Sequence, residues 1–139
     1  MPAILRLAAP ASILRLDIAT LGFSRPNTNE LFELLDAGQI RECTFVCSVY
    51  FRSVDTELFT YLDDGLKARG HRCEICRSHA KLLLFELSDG RNFVWESSAN
   101  LRSCRNAETF VLSQSAELLS FHRDWLQELI TRTTNENRK

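Results

Sequence analysis

Short apolar runs alternate along this chain with amphipathic stretches, and the two periods separate strands from helices. From Ile13 to Thr20, Ile13, Arg15 and Asp17 fall on one side of an extended chain and Leu14, Leu16 and Ile18 on the other, which predicts a strand. Asn27 or Thr28 stands where a helix cap belongs. Leu31, Leu34 and Leu35 then share a helical face, and Gly38 ends the helix after about Ala37. Arg41 to Ser48 carries Thr44, Phe45 and Val46 between Cys43 and Cys47, a buried-strand composition. Ser53 predicts the cap of a second helix to about Arg69, with Leu58, Leu62 and Leu66 stacked four apart and Gly70 at its end. His71 to Arg77 reads as a short strand. His79 to Leu87 and Asn92 to Ser97 read as a hairpin turning at Ser88-Asp89-Gly90, where glycine tolerates positive φ and aspartate bonds locally. Glu108 to Ser113 predicts the last strand. Ser115 predicts the cap of a final helix to about Arg132, with Leu118, His122, Trp125 and Leu129 on one stripe. The order of elements points to the α/β class, a mixed β-sheet flanked by helices in a layered sandwich.

Composition sharpens this in three places. At 139 residues, 45% hydrophobic and 25% charged, residues 1–139 read as a single domain with a sizeable core, and 133–139 as a frayed polar tail. Five cysteines, an odd count without secretory context, read as free thiols in a reducing compartment, so a cytoplasmic location is expected. Cys73-x-x-Cys76 raises the alternative of a zinc site completed by His71 and Cys104. However, residues three apart on a strand face opposite ways, and no metal is expected. Cys43 and Cys47 read as small buried hydrophobes. The apolar start, Met1 to Ala11, is broken by Arg6 and Pro10, too short for a signal peptide. Nothing in the chain reaches transmembrane length, so no membrane partner is expected.

The candidate chemistry lies between His79 and Asn100. On an extended chain His79 and Lys81 project from the same side, about 7 Å apart. Ser98 and Asn100 share one parity at the end of the next strand. Pairing of the two strands brings an imidazole, an ammonium, a hydroxyl and an amide to one pocket, a set suited to a phosphodiester: one nucleophile and three donors for phosphate oxygens. A cation on the inner side of the apolar strand Leu82-Leu83-Leu84-Phe85 is costly without an anionic partner, which for Lys81 is either a ligand or one of Glu86 and Glu108. Ser98 and Asn100 also suit simple loop caps, and His122, three before Trp125, suits a packed helix histidine. Net charge is −1, but Lys67, Arg69, Arg72, Arg77 and Lys81 stand against the single acid Glu74 over that stretch. Arg77, Arg102, Ser103 and Arg105 beside the pocket are candidate substrate-binding residues for a polyanion. Tyr50, Phe51 and Arg52, after the second core strand, are further groove candidates.

The segment His79-Ala80-Lys81 through Ser97-Ser98-Ala99-Asn100 resembles the HKD signature of the phospholipase D superfamily, H-x-K-x4-D-x6-G-S-x-N. Asn106-Ala107-Glu108-Thr109-Phe110-Val111-Leu112 is similar to the strand that supplies a functional glutamate there. The segment with His122 and Trp125 resembles the superfamily's closing helix, and Ile13 to Thr20 its first core strand. Two positions depart from the pattern. Glu86 stands five beyond the lysine where the family has aspartate, and Ser98 follows His79 by 19 positions, four more than the pattern. Two extra residues in each arm of the hairpin preserve both parities. Asp89 could then brace the turn in place of the missing aspartate, and Ser97 replaces the family's glycine.

The resemblance implies His79 as nucleophile or acid, Lys81, Ser98 and Asn100 on phosphate oxygens, and Glu108 on the imidazole, with no metal and no cofactor. Members typically use two His-Lys sets, one imidazole attacking phosphorus and the other protonating the leaving oxygen. This chain has one set, so activity implies a homodimer with the two His79 residues at its axis, as in the small single-motif bacterial endonucleases. Glu-Ser-Ser-Ala-Asn-Leu-Arg-Ser also looks like small HKD-type proteins of phages. The expected function is a metal-independent phosphodiesterase, a nuclease first, with nucleic acid (DNA ahead of RNA) as partner. The alternative is a catalytically silent HKD-fold module that binds nucleic acid or a protein. A lipid phosphodiesterase ranks last, because a basic-flanked amphipathic segment is missing from the sequence.

Overall fold

The computed structural model describes residues 8–102 and 106–136. The elements run β1 (Ile13–Thr20), α1 (Arg25–Asp36), β2 (Ile40–Ser48), α2 (Val49–Val54), α3 (Thr56–Ala68), β3 (Arg72–Cys76), β4 (Leu82–Leu87), β5 (Asn92–Ser97), β6 (Phe110–Gln114) and α4 (Ala116–Glu136). Six strands form one mixed sheet in the order β3-β2-β1-β4-β5-β6. β1, β2 and β3 are parallel, while β4, β5 and β6 join antiparallel. This is the expected α/β class, a mixed sheet with helices on both faces.

The two faces bury different sets. On one, Leu16, Ile18, Phe45, Leu83 and Phe85 pack with Leu31, Phe32, Leu62 and Leu66 of α1 and α3. On the other, Val46, Leu82, Leu84 and Val94 pack with Leu119, Leu126 and Ile130 of α4. Burial on both sides explains the unbroken Leu82-Leu83-Leu84-Phe85 run. Ile13 departs from the expected alternation. It packs with Leu16 and Ile18, because the β1–β4 register shifts between Ile13 and Arg15 and turns Ile13 onto the other face. Cys73 and Cys76 belong to opposite faces, as strand parity requires.

Several boundaries differ from the sequence expectation for local reasons. Ser24, not Asn27 or Thr28, takes the N-cap of α1, with Pro26 in the first turn, where a missing N–H costs nothing. The single helix expected from Ser53 is two. Ser48 caps α2 by accepting from Tyr50 N at 3.3 Å, and Asp55 caps α3 by accepting from Leu58 N at 3.1 Å. Ser53 instead donates to the Tyr50 carbonyl at 2.7 Å. Tyr50, Phe51 and Arg52 are therefore helical, and Phe51 is a core residue against Phe23, with ring centroids 4.5 Å apart. In α4 the buried stripe is Leu119, His122, Leu126 and Ile130, with Leu118, Trp125 and Leu129 at its margin. Thr133 and Thr134 continue this helix beyond Arg132, into the segment expected as tail, by donating to Leu129 and Ile130 carbonyls at 3.0 and 2.9 Å. No helix among the described residues is long and apolar enough to cross a membrane.

Candidate active site

The hairpin forms as its turn residues dictate. Leu87 N donates to the Arg91 carbonyl at 2.9 Å, Gly90 adopts φ 86°, and the Asp89 carboxylate accepts from Arg91 N at 3.1 Å. Asp89 thus braces the turn. Pairing of Leu82 with Glu96 and of Ala19 with Leu82 then sets Thr20, Lys81 and Ser97 in a row across one end of the sheet, with Ser97 N donating to the Lys81 carbonyl at 3.0 Å.

His79 and Lys81 do not belong to β4, which begins at Leu82. They lie in the connection from β3, bent by Ser78, whose hydroxyl accepts from Ala80 N at 3.1 Å. The expected proximity is nonetheless present. Lys81 Nζ lies 2.9 Å from His79 Nδ1 and donates to the His79 carbonyl at 3.0 Å. An ammonium can only donate, so Nδ1 accepts and the ring proton sits on Nε2.

Glu108 likewise precedes its strand, since β6 starts at Phe110. Its carboxylate accepts a hydrogen bond from Ser98 Oγ, and the same hydroxyl accepts from Thr109 N at 3.0 Å. The role expected for Glu108 was on the imidazole. In the structure its carboxylate meets the serine, and Lys81 meets Nδ1. Ser98 N donates to the Thr109 carbonyl at 3.0 Å, so the two loops form one ledge beside the hairpin. Asn100 Oδ1 is buried without a hydrogen-bond partner among the described residues. Ser97, in place of a glycine, accepts from Ala99 N at 2.9 Å and donates to the Thr109 carbonyl at 3.2 Å, which stiffens this ledge.

Glu86, at the position of the family's aspartate, lies away from this cluster. It accepts from Arg123 of α4 at 2.7 Å, and Arg123 also donates to Asp17 at 2.8 Å. Burial works against the Arg123 charge, but its hydrogen bonds to Asp17 and Glu86 outweigh that and raise its pKa. His122 is a packed helix histidine: Trp125 Nε1 donates to its Nδ1 at 2.8 Å, and Nε2 lies 3.4 Å from Glu96. Arg77 and Arg102 are exposed near the site, while Ser103 and Arg105 lie outside the described residues.

Sequence reasoning missed a cavity of about 190 Å³ next to Lys81, lined by Thr20, Leu82, Leu83, Trp95, Ala99, Asn100 and Leu101 among others. Trp95 was legible only as a strand residue. Its position in the wall depends on the β4–β5 register and on the path of the loop after Ser97.

No protein-family model matches the sequence, and no curated protein matches it. Among solved structures, the chain is similar to polyphosphate kinase from Porphyromonas gingivalis, with a TM-score of 0.68 at 13% identity. The match covers 91% of this chain but 23% of that one, so the chain spans less than a quarter of its neighbour's length. The likeness bears out the expected α/β fold, a mixed sheet flanked by helices.

Proposed function

We propose that this chain is a metal-independent phosphodiesterase, a nuclease first, that works through His79 as a homodimer. The observation that carries the reading is the 2.9 Å contact of Lys81 Nζ with His79 Nδ1 at the end of the sheet where Ser98 and Asn100 also lie. A likeness of fold to a phosphoryl-transfer enzyme supports the same class of chemistry.

With Nδ1 accepting from Lys81, Nε2 carries the proton and cannot attack. A bound phosphodiester draws the ammonium onto its oxygens and releases Nδ1; Nδ1 then takes a proton from water as Nε2 gives its own to water, and the neutral imidazole presents a bare Nε2. The Nε2–P bond forms as the P–O bond to the leaving group breaks, and the leaving oxygen takes its proton from the second copy's imidazole. Water then gives up a proton to that same imidazole and attacks phosphorus, freeing Nε2. Two in-line displacements retain configuration, so a chiral phosphorothioate diester hydrolysed in oxygen-18-labelled water should give product with retention at phosphorus. Inversion would mean direct attack by water and would remove His79 as nucleophile.

The second reading is a silent binding module on the same fold. The commitment of Glu86 to Arg123, away from the site, favours it.

A further inference from the structure

We infer that the cavity beside Lys81 is a subsite for an unpaired nucleobase attached to the phosphate held by the candidate site. The inference rests on the phosphodiesterase reading. The cavity measures about 190 Å³. Apolar protein cavities of about 150 Å³ admit a benzene ring, so this one holds one planar ring. Its walls are chiefly apolar: Leu82 and Leu83 from β4, Trp95 from β5, and Ala99 and Leu101 from the crossing loop.

Those walls are fixed in advance. Trp95 stacks on Phe110, with centroids 4.7 Å apart. The loop is pinned on one side by Ala99 N on Ser97 Oγ at 2.9 Å. On the other, Leu101 N donates to the Gly22 carbonyl at 3.0 Å, and Asn27 Nδ2 donates to the Leu101 carbonyl at 2.8 Å. A site held this way needs little ordering when a ring enters.

Two polar features select the ring. Lys81 lines the cavity and is also the proposed phosphate ligand, so the occupant is joined to an anion. Asn100 Oδ1 is a buried acceptor without a partner among the described residues, and such an atom calls for a donor. A nucleobase supplies flat apolar faces, an N–H on its edge and a phosphate one sugar away. In a duplex that edge is paired, so the subsite takes single-stranded or flipped bases.

The test is calorimetric binding of thymidine 5′-monophosphate and of deoxyribose 5-phosphate to the full chain. The expected result is binding at least about tenfold tighter for the nucleotide. Replacement of Ala99 by leucine, which fills the cavity from its loop wall, should bring the ratio of the two affinities close to one. Equal binding of both ligands to the wild-type protein would overturn the subsite and leave the phosphate reading standing. Binding of neither would remove both. The wild-type comparison decides the matter alone if Ala99→Leu fails to fold.

Discussion

Lys81 holds the balance of the candidate site, because the same ammonium serves either the imidazole or an incoming anion. Lys81→Met removes the phosphate partner together with the hydrogen bond to His79 Nδ1. It should lower kcat/KM on a phosphodiester by about 10²–10³-fold, the usual loss of one preorganised charge donor. Ser98 and Glu108 form a second pair. If Glu108 serves through the serine, Glu108→Gln and Ser98→Ala should lower activity by similar factors, and the double variant should lose little more than either single one. Additive losses would place the carboxylate in a separate role.

Cys43, Cys47 and Cys76 are residues of the core. Burial pushes the Cys47 thiol up to about 12, and desolvation raises Cys43 and Cys73 as well. Unfolded thiols ionise near about 8.5 while the folded ones stay protonated. Stability from this source is therefore full below that pH and declines as pH rises above it. Urea midpoints between pH 7 and 10 should fall accordingly, and peptide mapping at pH 8 should find Cys43 and Cys47 unlabelled by a thiol reagent until urea is added.

At the scale of elements, the hairpin was legible because its turn chemistry and its parity agree: Ser88-Asp89-Gly90 fixes the register, and the register fixes the row of Thr20, Lys81 and Ser97. The break between α2 and α3 was not, since the apolar spacing runs straight through it and only the Asp55 carboxylate marks the restart. The partner of Glu108 was equally hidden, because it depends on the path of two loops rather than on a repeat. Glu86 looked like a weakened motif residue but belongs to a network tying α4 to β1 and β4. Asp17 in that network is nearly inaccessible, with a side chain 4% exposed, and it bonds both Arg15 and Arg123. Asp17→Ala should cost about 3 kcal/mol in urea unfolding, near the low end for breaking a buried pair because Glu86 still holds Arg123. A loss under about 0.5 kcal/mol would mean the network is a solvated one.

For the whole molecule, the α/β class was legible in the sequence, and the six-stranded mixed sheet bears it out, while the resemblance of the His79–Asn100 segment to HKD enzymes stands on its residues alone. One His-Lys set per chain leads to the proposed dimer. When wild type is mixed and re-equilibrated with an equal amount of His79→Ala, the specific activity per total protein should fall to about a quarter of the wild-type value if both imidazoles of a pair are needed. About half would remain if each chain works alone.

The most direct measurement is hydrolysis of bis-p-nitrophenyl phosphate and plasmid DNA in EDTA, with wild type and His79→Ala side by side. The account predicts turnover that persists in EDTA and falls by at least about 10³-fold in the variant. A well-folded wild-type dimer without turnover, or activity that survives the loss of His79, would contradict it.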